Sequence, residues 1–511
     1  MGLVAVLLLA GNTTDAAPLS ETARVLHVLN RLGYGPRPGD IERVKAMGVE
    51  HYIDMQLSPD SIPLPKHLKD RLASLETLEM TPVQLFLEYR PVLDRRGNKR
   101  PDREAVKAQR ERARIVMTQA GQARLLRAID SPAQLEEVMT DFWYNHFNVF
   151  AGKGLDYLWA GAYEQAAIRP YALGRFRDLL GATAHHPAML FYLDNWQNTA
   201  PGSPGARGKF QGLNENYARE LMELHTLGVE GGYTQQDVIA LARILTGWGI
   251  RRRDSADGGE YGFHFDAKRH DFSDKIFLGH AIKGSGRDEG EQALDILAAA
   301  PATAHHISYQ LAQYFVADNP DPALVDALAK RFSETGGDIR AVLKTLFDSA
   351  AFRQSESVGN KFKTPYEYVV SAIRATGQPV SNVRPLSGML IQLGEPLYAC
   401  QTPDGYKSTQ DAWLNPDAMM RRLSFVTALA SGRLPLAAPM DENDARPRRL
   451  LGGAAVRVDE TTSGSSPAVA AVRLTATLGN AFSKQTIAAV AAAPEQLRAS
   501  LILGSPEFMR R

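Results

Sequence analysis

Cysteine is the scarcest residue of this 511-residue chain, because Cys400 is the only one. A single thiol excludes an intramolecular disulfide framework and any metal site built on several thiolates. Net charge is also nearly absent, since 58 lysines and arginines stand against 57 aspartates and glutamates. A formal charge of +1 excludes the strongly basic surface that drives non-specific nucleic-acid binding, so we expect no nucleic-acid partner.

Long hydrophobic runs are missing as well. No stretch reaches 18 uninterrupted apolar residues, and we therefore expect no membrane span in the mature chain. The short apolar run at residues 3–10 is followed by small residues that fit a signal-peptidase cleavage site. It predicts a signal peptide over residues 1–16 and a periplasmic or secreted protein. A buried N-terminal strand or helix is the alternative.

The motifs of several enzyme classes are absent. The chain contains no HExxH, no CxxC, no GxSxG and no GxxxxGK[ST] sequence. Zincin, thiol-redox, α/β-hydrolase and P-loop chemistry therefore lack support.

Hydrophobic residues recur with helical spacing from residue 20 onward, which predicts an all-α fold with at most short β pieces around 260–282. The predicted helices include 104–129, 132–147, 213–227, 234–247, 288–300, 302–316, 322–334, 338–349, 365–376 and 416–431. The many arginines of helix 104–129 fit a solvated face better than a contact with a polyanion. The Gly- and Pro-rich segment 199–212 is long for a loop inside a compact domain, which is typical of a lid or binding loop.

The helix that carries the block NENYARELMELHTLG (214–228) places two carboxylates at the edge of its apolar stripe. Glu220 and Glu223 project there together, and such a pair binds a hard metal or divides into general acid and general base. Acceptance of hydrogen bonds from arginine or backbone N–H groups is the alternative. On the opposite face, Glu215 and Arg219 have the spacing of a helix-stabilising ion pair.

Two further segments combine histidine with aspartate. In DFWYNHF (141–147), His146 is surrounded by aromatic residues and suits a ligand or proton shuttle, with a buried core histidine as the alternative. The pair His270–Asp271, with Lys275 nearby, lies in an irregular segment, where binding residues concentrate.

Two histidine doublets are weaker candidates for a metal site. They are His185–His186 and His305–His306. Adjacent residues of a helix point about 100° apart, so both members of a doublet rarely bind one ion. We therefore discount the second doublet and keep the first only as a site edge.

Several blocks of the chain, taken together and in order, resemble one known family. The most informative of them are DFWYNHF, HPAMLFYLDN, NENYARELMELHTLG and FHFDAKRHDFSDKIFLG. They are similar to the bacterial family known as domain of unknown function 1800, and the resemblance covers residues 22–511. It implies an exported, all-helical protein with a sulfatase-like partner, and it implies no settled activity.

The resemblance also bears on domain organisation and on single residues. A pattern that runs almost end to end implies one helical domain over 20–511, with excursions at 93–103, 199–212 and 435–465. The chain departs from the family at Tyr144, where histidine is usual, and at Ser273, where glycine often stands. The family pattern favours His146, Glu215, Glu220, Glu223, His225, His270 and Asp271 as site residues and disfavours His305 and His306.

From these observations we predict an exported hydrolase that acts on an extracellular polysaccharide or ester, with segment 199–212 as its lid. The predicted catalytic residues are Glu220, Glu223, His270 and Asp271, with Glu220 or Glu223 as general base or as ligand to a divalent metal. The predicted substrate-binding residues are Arg219, Asn216, Lys275 and Trp143. The residues predicted for a metal held by oxygen and imidazole ligands are His146, Glu215 and His225.

A protein of another class fits the same residues. In that alternative the chain is a non-catalytic partner or maturation protein for an exported sulfatase-like neighbour. Its polar residues would then be buried networks that fix helix packing.

Overall fold

The computed structural model describes residues 19–91, 103–208, 210–250, 262–438, 468–479 and 481–511. Within these residues the chain forms 24 α-helices. The first ten are α1 (Glu21–Arg31), α2 (Asp40–Met47), α3 (Val49–Gln56), α4 (Lys66–Ala73), α5 (Pro82–Tyr89), α6 (Arg103–Asp130), α7 (Gln134–His146), α8 (Ala160–Tyr163), α9 (Phe176–His185) and α10 (Pro187–Tyr192). The next seven are α11 (Asn216–Glu223), α12 (Gln235–Ile244), α13 (Arg287–Ala299), α14 (Pro301–Phe315), α15 (Pro322–Glu334), α16 (Ile339–Asp348) and α17 (Ala350–Arg353). The last seven are α18 (Pro365–Thr376), α19 (Arg384–Leu393), α20 (Gln410–Trp413), α21 (Pro416–Ala430), α22 (Ala471–Leu478), α23 (Lys484–Ala492) and α24 (Glu495–Leu503).

The predicted all-α class is confirmed. Helices α15 and α18 cover the predicted ranges 322–334 and 365–376, and the residue before each explains its start. Asp321 accepts a hydrogen bond from the backbone N–H of Ala323, and Thr364 forms a capping box with Glu367. Each helix then opens with proline, which has no N–H to leave unpaired.

Helix α11 is shorter than the predicted range 213–227 and ends at Glu223. After that residue the Thr226 hydroxyl donates to the carbonyl of Leu221, and the N–H of Gly228 donates to that of Met222. These bonds satisfy carbonyls that further helical turns would otherwise use. His225, which falls within the predicted range, therefore lies beyond the end of the helix.

Strands occur in two short hairpins, in the region where β pieces were predicted. Strand β1 (Trp248–Ile250) pairs antiparallel with β2 (Phe263–Phe265). Strand β3 (Lys275–Phe277) pairs antiparallel with β4 (His280–Ile282). Together they frame the irregular segment that contains His270.

One cluster of buried hydrophobic side chains extends from Val25 on α1 to Met509 near the C-terminus. The terminal Arg511 is itself buried, and its guanidinium forms an ion pair with Glu367 at 2.9 Å. Residues near the start and the end of the described chain therefore belong to the same packed core. One domain over residues 20–511 stays a prediction.

The predicted signal peptide, residues 1–16, lies outside the described residues. So do most of the predicted excursions 93–103 and 435–465. Among the helices of the described ranges, none is long and apolar enough to cross a membrane.

Candidate functional site

A cavity of about 420 Å³ opens between α6, α7, α14, the start of α18 and the segment 395–408. Six aromatic side chains line it: Phe142, Tyr144, Tyr314, Tyr366, Tyr398 and Tyr406. Its ionisable side chains include Arg124, Asp141, His146, His306, Glu395, Asp404 and Lys407. The size and the mixture of aromatic walls with a few polar groups are typical of a ligand site.

Asn145 positions the segment 395–408 on the end of α7. Its side chain accepts a hydrogen bond from the N–H of Tyr406 at 2.7 Å and donates one to the carbonyl of Tyr406 at 2.8 Å. Gly405 is required beside it, because its φ of 69° favours glycine and a Cβ there would overlap the Asn145 carbonyl. The wall of the cavity is therefore fixed to α7 by backbone contacts.

Arg124 and Asp141 form an ion pair in the wall of the cavity. The guanidinium lies over the rings of Tyr144, Tyr366 and Tyr398 at 5.0, 5.5 and 5.1 Å. Burial raises the pKa of Asp141, and the contact with Arg124 opposes that rise. Asp141 remains one-fifth exposed, so its carboxylate is open to the cavity. The solvated arginine face predicted for this helix is wrong at Arg124, which is buried.

Glu395 lies across the cavity without a cation to balance it. The N–H of Tyr366 donates to its carboxyl at 2.7 Å, and among the described residues it forms no ion pair. Burial, with a further contribution from the charge of Asp141, raises the pKa of Glu395 to about 8. At neutral pH this carboxyl holds a proton and is able to donate it.

Three histidines lie together at the edge of the cavity. The His146 ring is 6.0 Å from that of His225 and 6.4 Å from that of His306, and His146 Nε2 is 3.2 Å from the carbonyl oxygen of His225. Burial lowers the pKa of all three, that of His146 to about 3, so the rings are neutral. Nε2 of His225 is buried without a hydrogen-bond partner.

Neutral imidazole is the form that binds a metal, yet the predicted metal ligands do not meet. Glu215 contacts Arg219 and Gln235 instead of the two histidines. In the part of the chain that the structure describes, no group of three or more His, Cys, Asp or Glu residues has the geometry to hold an ion. The geometry thus joins His146 to His225 and separates both from Glu215.

The acidic residues of α11 lie outside the cavity. Arg219 forms ion pairs with Glu215 at 3.2 Å and with Glu223 at 3.5 Å, and all three side chains are at least one-quarter exposed. Burial raises the pKa of Glu220, and the neighbouring carboxylates of Glu223 and Asp404 raise it further. Glu220 therefore approaches the rim at Asp404 without lining the cavity.

His270, predicted to be catalytic, belongs to a separate and fully enclosed cluster. Its Nε2 lies 2.8 Å from one oxygen of Glu289, while Lys275 contacts the other oxygen at 2.5 Å. All three side chains have zero exposure. Nδ1 of His270 donates to the carbonyl of Thr246 at 2.8 Å. We call His270, Lys275 and Glu289 the loop network, because it ties the irregular segment to the start of α13.

Asp271 points away from the loop network towards α12. Arg243 donates to it at 2.7 Å, and both the N–H and the hydroxyl of Ser273 donate to its other oxygen. Burial alone would raise the pKa of Asp271, but these hydrogen bonds lower it to about 2. The serine that departs from the family pattern therefore completes the turn after Asp271.

The remaining predicted substrate ligands also have structural partners. Trp143 is fully buried in the core, where its indole N–H donates to the carbonyl of Ala172 at 2.9 Å. Asn216 donates from its side chain to the carbonyl of Leu193 at 3.2 Å. Neither side chain is part of the cavity wall.

The predicted lid packs elsewhere. Ala200 and Gly205 of segment 199–212 donate backbone hydrogen bonds to Arg269 and Lys268, each at 2.8 Å. The guanidinium of Arg269 also lies 4.7 Å above the ring of Phe210.

Of the eleven predicted site residues, only His146 lines the cavity. Asp141 was visible within DFWYNHF, but sequence reasoning gave it no role. His306 was discounted with its doublet, although a single member of a doublet can face a site. Glu395 lies in a segment without periodic pattern or motif, and no sequence signal would have identified it.

The fold and the site define a helical protein that encloses an aromatic cavity with two carboxyl groups, one paired with an arginine and one with a pKa raised to about 8. A family model described as protein of unknown function (DUF1800) matches residues 27–510, and the chain belongs to this family. Neither a curated protein nor a solved structure matches it.

Proposed function

We propose that the protein is a hydrolase whose active site is the aromatic cavity, with Glu395 as general acid and Asp141 as general base. The observation that carries the proposal is the raised pKa of Glu395, about 8, which leaves this carboxyl protonated at neutral pH. Asp141 is paired with the guanidinium of Arg124, which favours its ionised form. Two carboxyl groups in one cavity, one paired with an arginine and the other with a raised pKa, suit acid–base hydrolysis.

In the proposed reaction Glu395 donates its proton to the leaving oxygen as the C–O bond of the substrate breaks. Asp141 takes a proton from water, and the water oxygen forms the new bond to carbon. Water is thus added across the cleaved bond. Asp141 then releases its proton to solvent and Glu395 regains one, which restores both groups.

The walls of the cavity favour a sugar as the substrate. Tyrosine and phenylalanine rings offer apolar faces, while Asn148, Gln310 and Gln313 offer hydrogen-bonding groups between them. A pyranose has the same two properties, with apolar ring faces and hydroxyl edges. We therefore place an extracellular polysaccharide ahead of an ester, and we propose export on the basis of the apolar run at residues 3–10.

The test is an activity screen of the purified protein on chromogenic aryl glycosides and aryl esters, with EDTA and with added divalent metals in separate arms. We expect turnover of a glycoside and a fall of about 10²- to 10⁴-fold in kcat for Glu395→Gln. The kcat of the wild type should decline above about pH 8, where Glu395 loses its proton.

The matched control is Glu356→Gln, an equal change at an exposed carboxylate, which should leave kcat unaltered. Full activity in Glu395→Gln together with loss in Glu220→Gln would move the catalytic centre to α11 and refute the proposal. Turnover that appears only with a metal and disappears in His146→Ala would support a metal-assisted site instead.

A second candidate function is a non-catalytic partner of an exported sulfatase-like protein. One observation favours it: the loop network is sealed from solvent, as expected for polar residues that fix packing. This candidate predicts no turnover of any substrate in the screen and co-purification with the sulfatase-like protein when both are co-expressed.

A further inference from the structure

A second cavity, of about 510 Å³, lies on another face of α6 and is independent of the proposed active site. It opens between α4, the start of α5, α6 and the residues after α8. Its walls combine polar side chains with an apolar portion that includes Leu64, Leu72, Leu78 and Met80. This volume is within the range of small-molecule sites, and the apolar portion of the walls suits a hydrocarbon group.

Arg127 is the charged residue inside this cavity, one turn after Arg124 on α6. Among the described residues it forms no ion pair, and its Nε is buried without a hydrogen-bond partner. The nearby carboxylates belong to other cations, because Arg169 pairs with Glu137 at 2.8 Å and Arg124 pairs with Glu164 at 3.1 Å. Burial accordingly lowers the pKa of Arg127. An anion in the cavity would supply the missing partner.

The backbone opposite Arg127 is unusual as well. Residues Glu164–Ile168 form a π-helical segment, a rare geometry that is frequent at functional sites. Gln165 and Ala166 of this segment line the cavity, while the Glu164 side chain turns to Arg124 on the far side. The segment thus contributes two uncharged side chains to the cavity that contains Arg127.

We propose that this cavity binds a small amphipathic anion, with a carboxylate or phosphate head at Arg127 and an alkyl chain along Leu64, Leu72, Leu78 and Met80. The opening of the cavity carries one charge of each sign, Lys69 and Glu79, both exposed. The attraction for an anion therefore comes from the interior and depends on Arg127.

The experiment measures binding by calorimetry with sodium decanoate and decyl phosphate, each below its micellar concentration. Acetate and 1-decanol serve as ligands that lack the chain or the charge. We expect saturable binding of at least one anionic probe at one site and at least tenfold weaker binding of acetate and decanol. The two anionic probes distinguish a carboxylate head from a phosphate head.

The decisive variant is Arg127→Met, which keeps the length of the side chain and removes its charge. The matched control is Arg110→Met, the same change at an exposed position of α6. We expect at least a tenfold loss of affinity in the first and none in the second. Ala166→Leu, which fills the cavity without changing charge, should also weaken binding and carries the test if Arg127→Met does not fold.

Absence of saturable binding to the wild type would overturn the proposal. Equal affinities of Arg127→Met and Arg110→Met would also do so, because the probes would then bind elsewhere. The readout is binding alone, so this result does not depend on whether the aromatic cavity catalyses hydrolysis.

Discussion

The aromatic cavity and the loop network contain the same kinds of side chain, imidazole and carboxylate. They differ in the hydrogen-bond and ion-pair partners that the protein gives to the carboxylates. Glu289 of the loop network receives hydrogen bonds from His270, Lys275 and the N–H of Gly286, and it has no exposure. Glu395 of the cavity receives a backbone N–H and contacts no cation among the described residues. One carboxylate is fully satisfied within the protein, and the other is left with capacity for a ligand.

The pKa shifts of the two carboxyl groups follow from this difference. Burial would raise both, but hydrogen bonds from His270 and Lys275 hold the pKa of Glu289 below its ordinary value. The pKa of Glu395 rises to about 8 because burial and the charge of Asp141 outweigh the hydrogen bonds from Tyr366 and Thr364, neither of which is a cation. Residue type alone therefore does not separate packing from function, whereas counter-charge and access to a cavity do.

The largest effect is expected from Glu289→Ala. Removal of this carboxylate leaves Lys275 and His270 buried without their partner, and breaking a buried ion pair costs about 3–5 kcal/mol. Urea unfolding should show this loss, while Glu334→Ala, at a half-exposed carboxylate, should change the free energy of unfolding by less than about 0.5 kcal/mol. A loss below 1 kcal/mol in Glu289→Ala would mean that the loop network does not stabilise the fold.

The loop network also shows where prediction from sequence stops. The helices could be predicted because apolar spacing and capping residues are local, as at Thr364 before α18. The partner of His270 could not, because Glu289 lies 19 residues away across two hairpin strands and a turn. Glu289 also accepts a hydrogen bond from the N–H of Gly286 at the start of α13, and this local capping contact gives no sign of a contact with a loop.

The walls of the aromatic cavity could not be predicted from the sequence for the same reason, because they too depend on contacts between distant residues. Its walls come from α6, α7, α14 and residues 395–408, so they are assembled only by tertiary packing. Arg124 resembled a surface residue because charged positions of a helix are usually solvated. The sequence nevertheless directed attention to DFWYNHF, and two residues of that block, Asp141 and His146, line the cavity.

An effect of intermediate size is expected for Glu395→Gln, which should change how the free energy of unfolding depends on pH. The folded pKa of about 8 lies above the ordinary value of about 4.3, so the folded state holds a proton that the unfolded state has released between these values. Stability that Glu395 contributes is therefore complete below about pH 4.3 and is lost as pH rises through 8. The unfolding free energy of the wild type should fall by about 2 kcal/mol more than that of Glu395→Gln between pH 6 and 8.

The control for this measurement is Glu356→Gln, whose carboxylate is exposed, and its pH dependence should match that of the wild type. Parallel curves for Glu395→Gln and the wild type would show that Glu395 is ionised throughout this range. It would then resemble Glu289, and the contrast between the two regions would disappear.

The smallest effect is expected on α11, which provides a third environment for the comparison. The ion pairs of Arg219 with Glu215 and Glu223 are at 3.2 and 3.5 Å, and the arginine side chain is 37% exposed. Water replaces such partners well, so Arg219→Ala should lower the free energy of unfolding by about 0.5 kcal/mol or less. Raising the salt concentration should shrink even this difference, because exposed charges are screened. A loss above 1.5 kcal/mol that persists in high salt would place Arg219 with the buried network, and exposure would no longer separate the regions of this molecule.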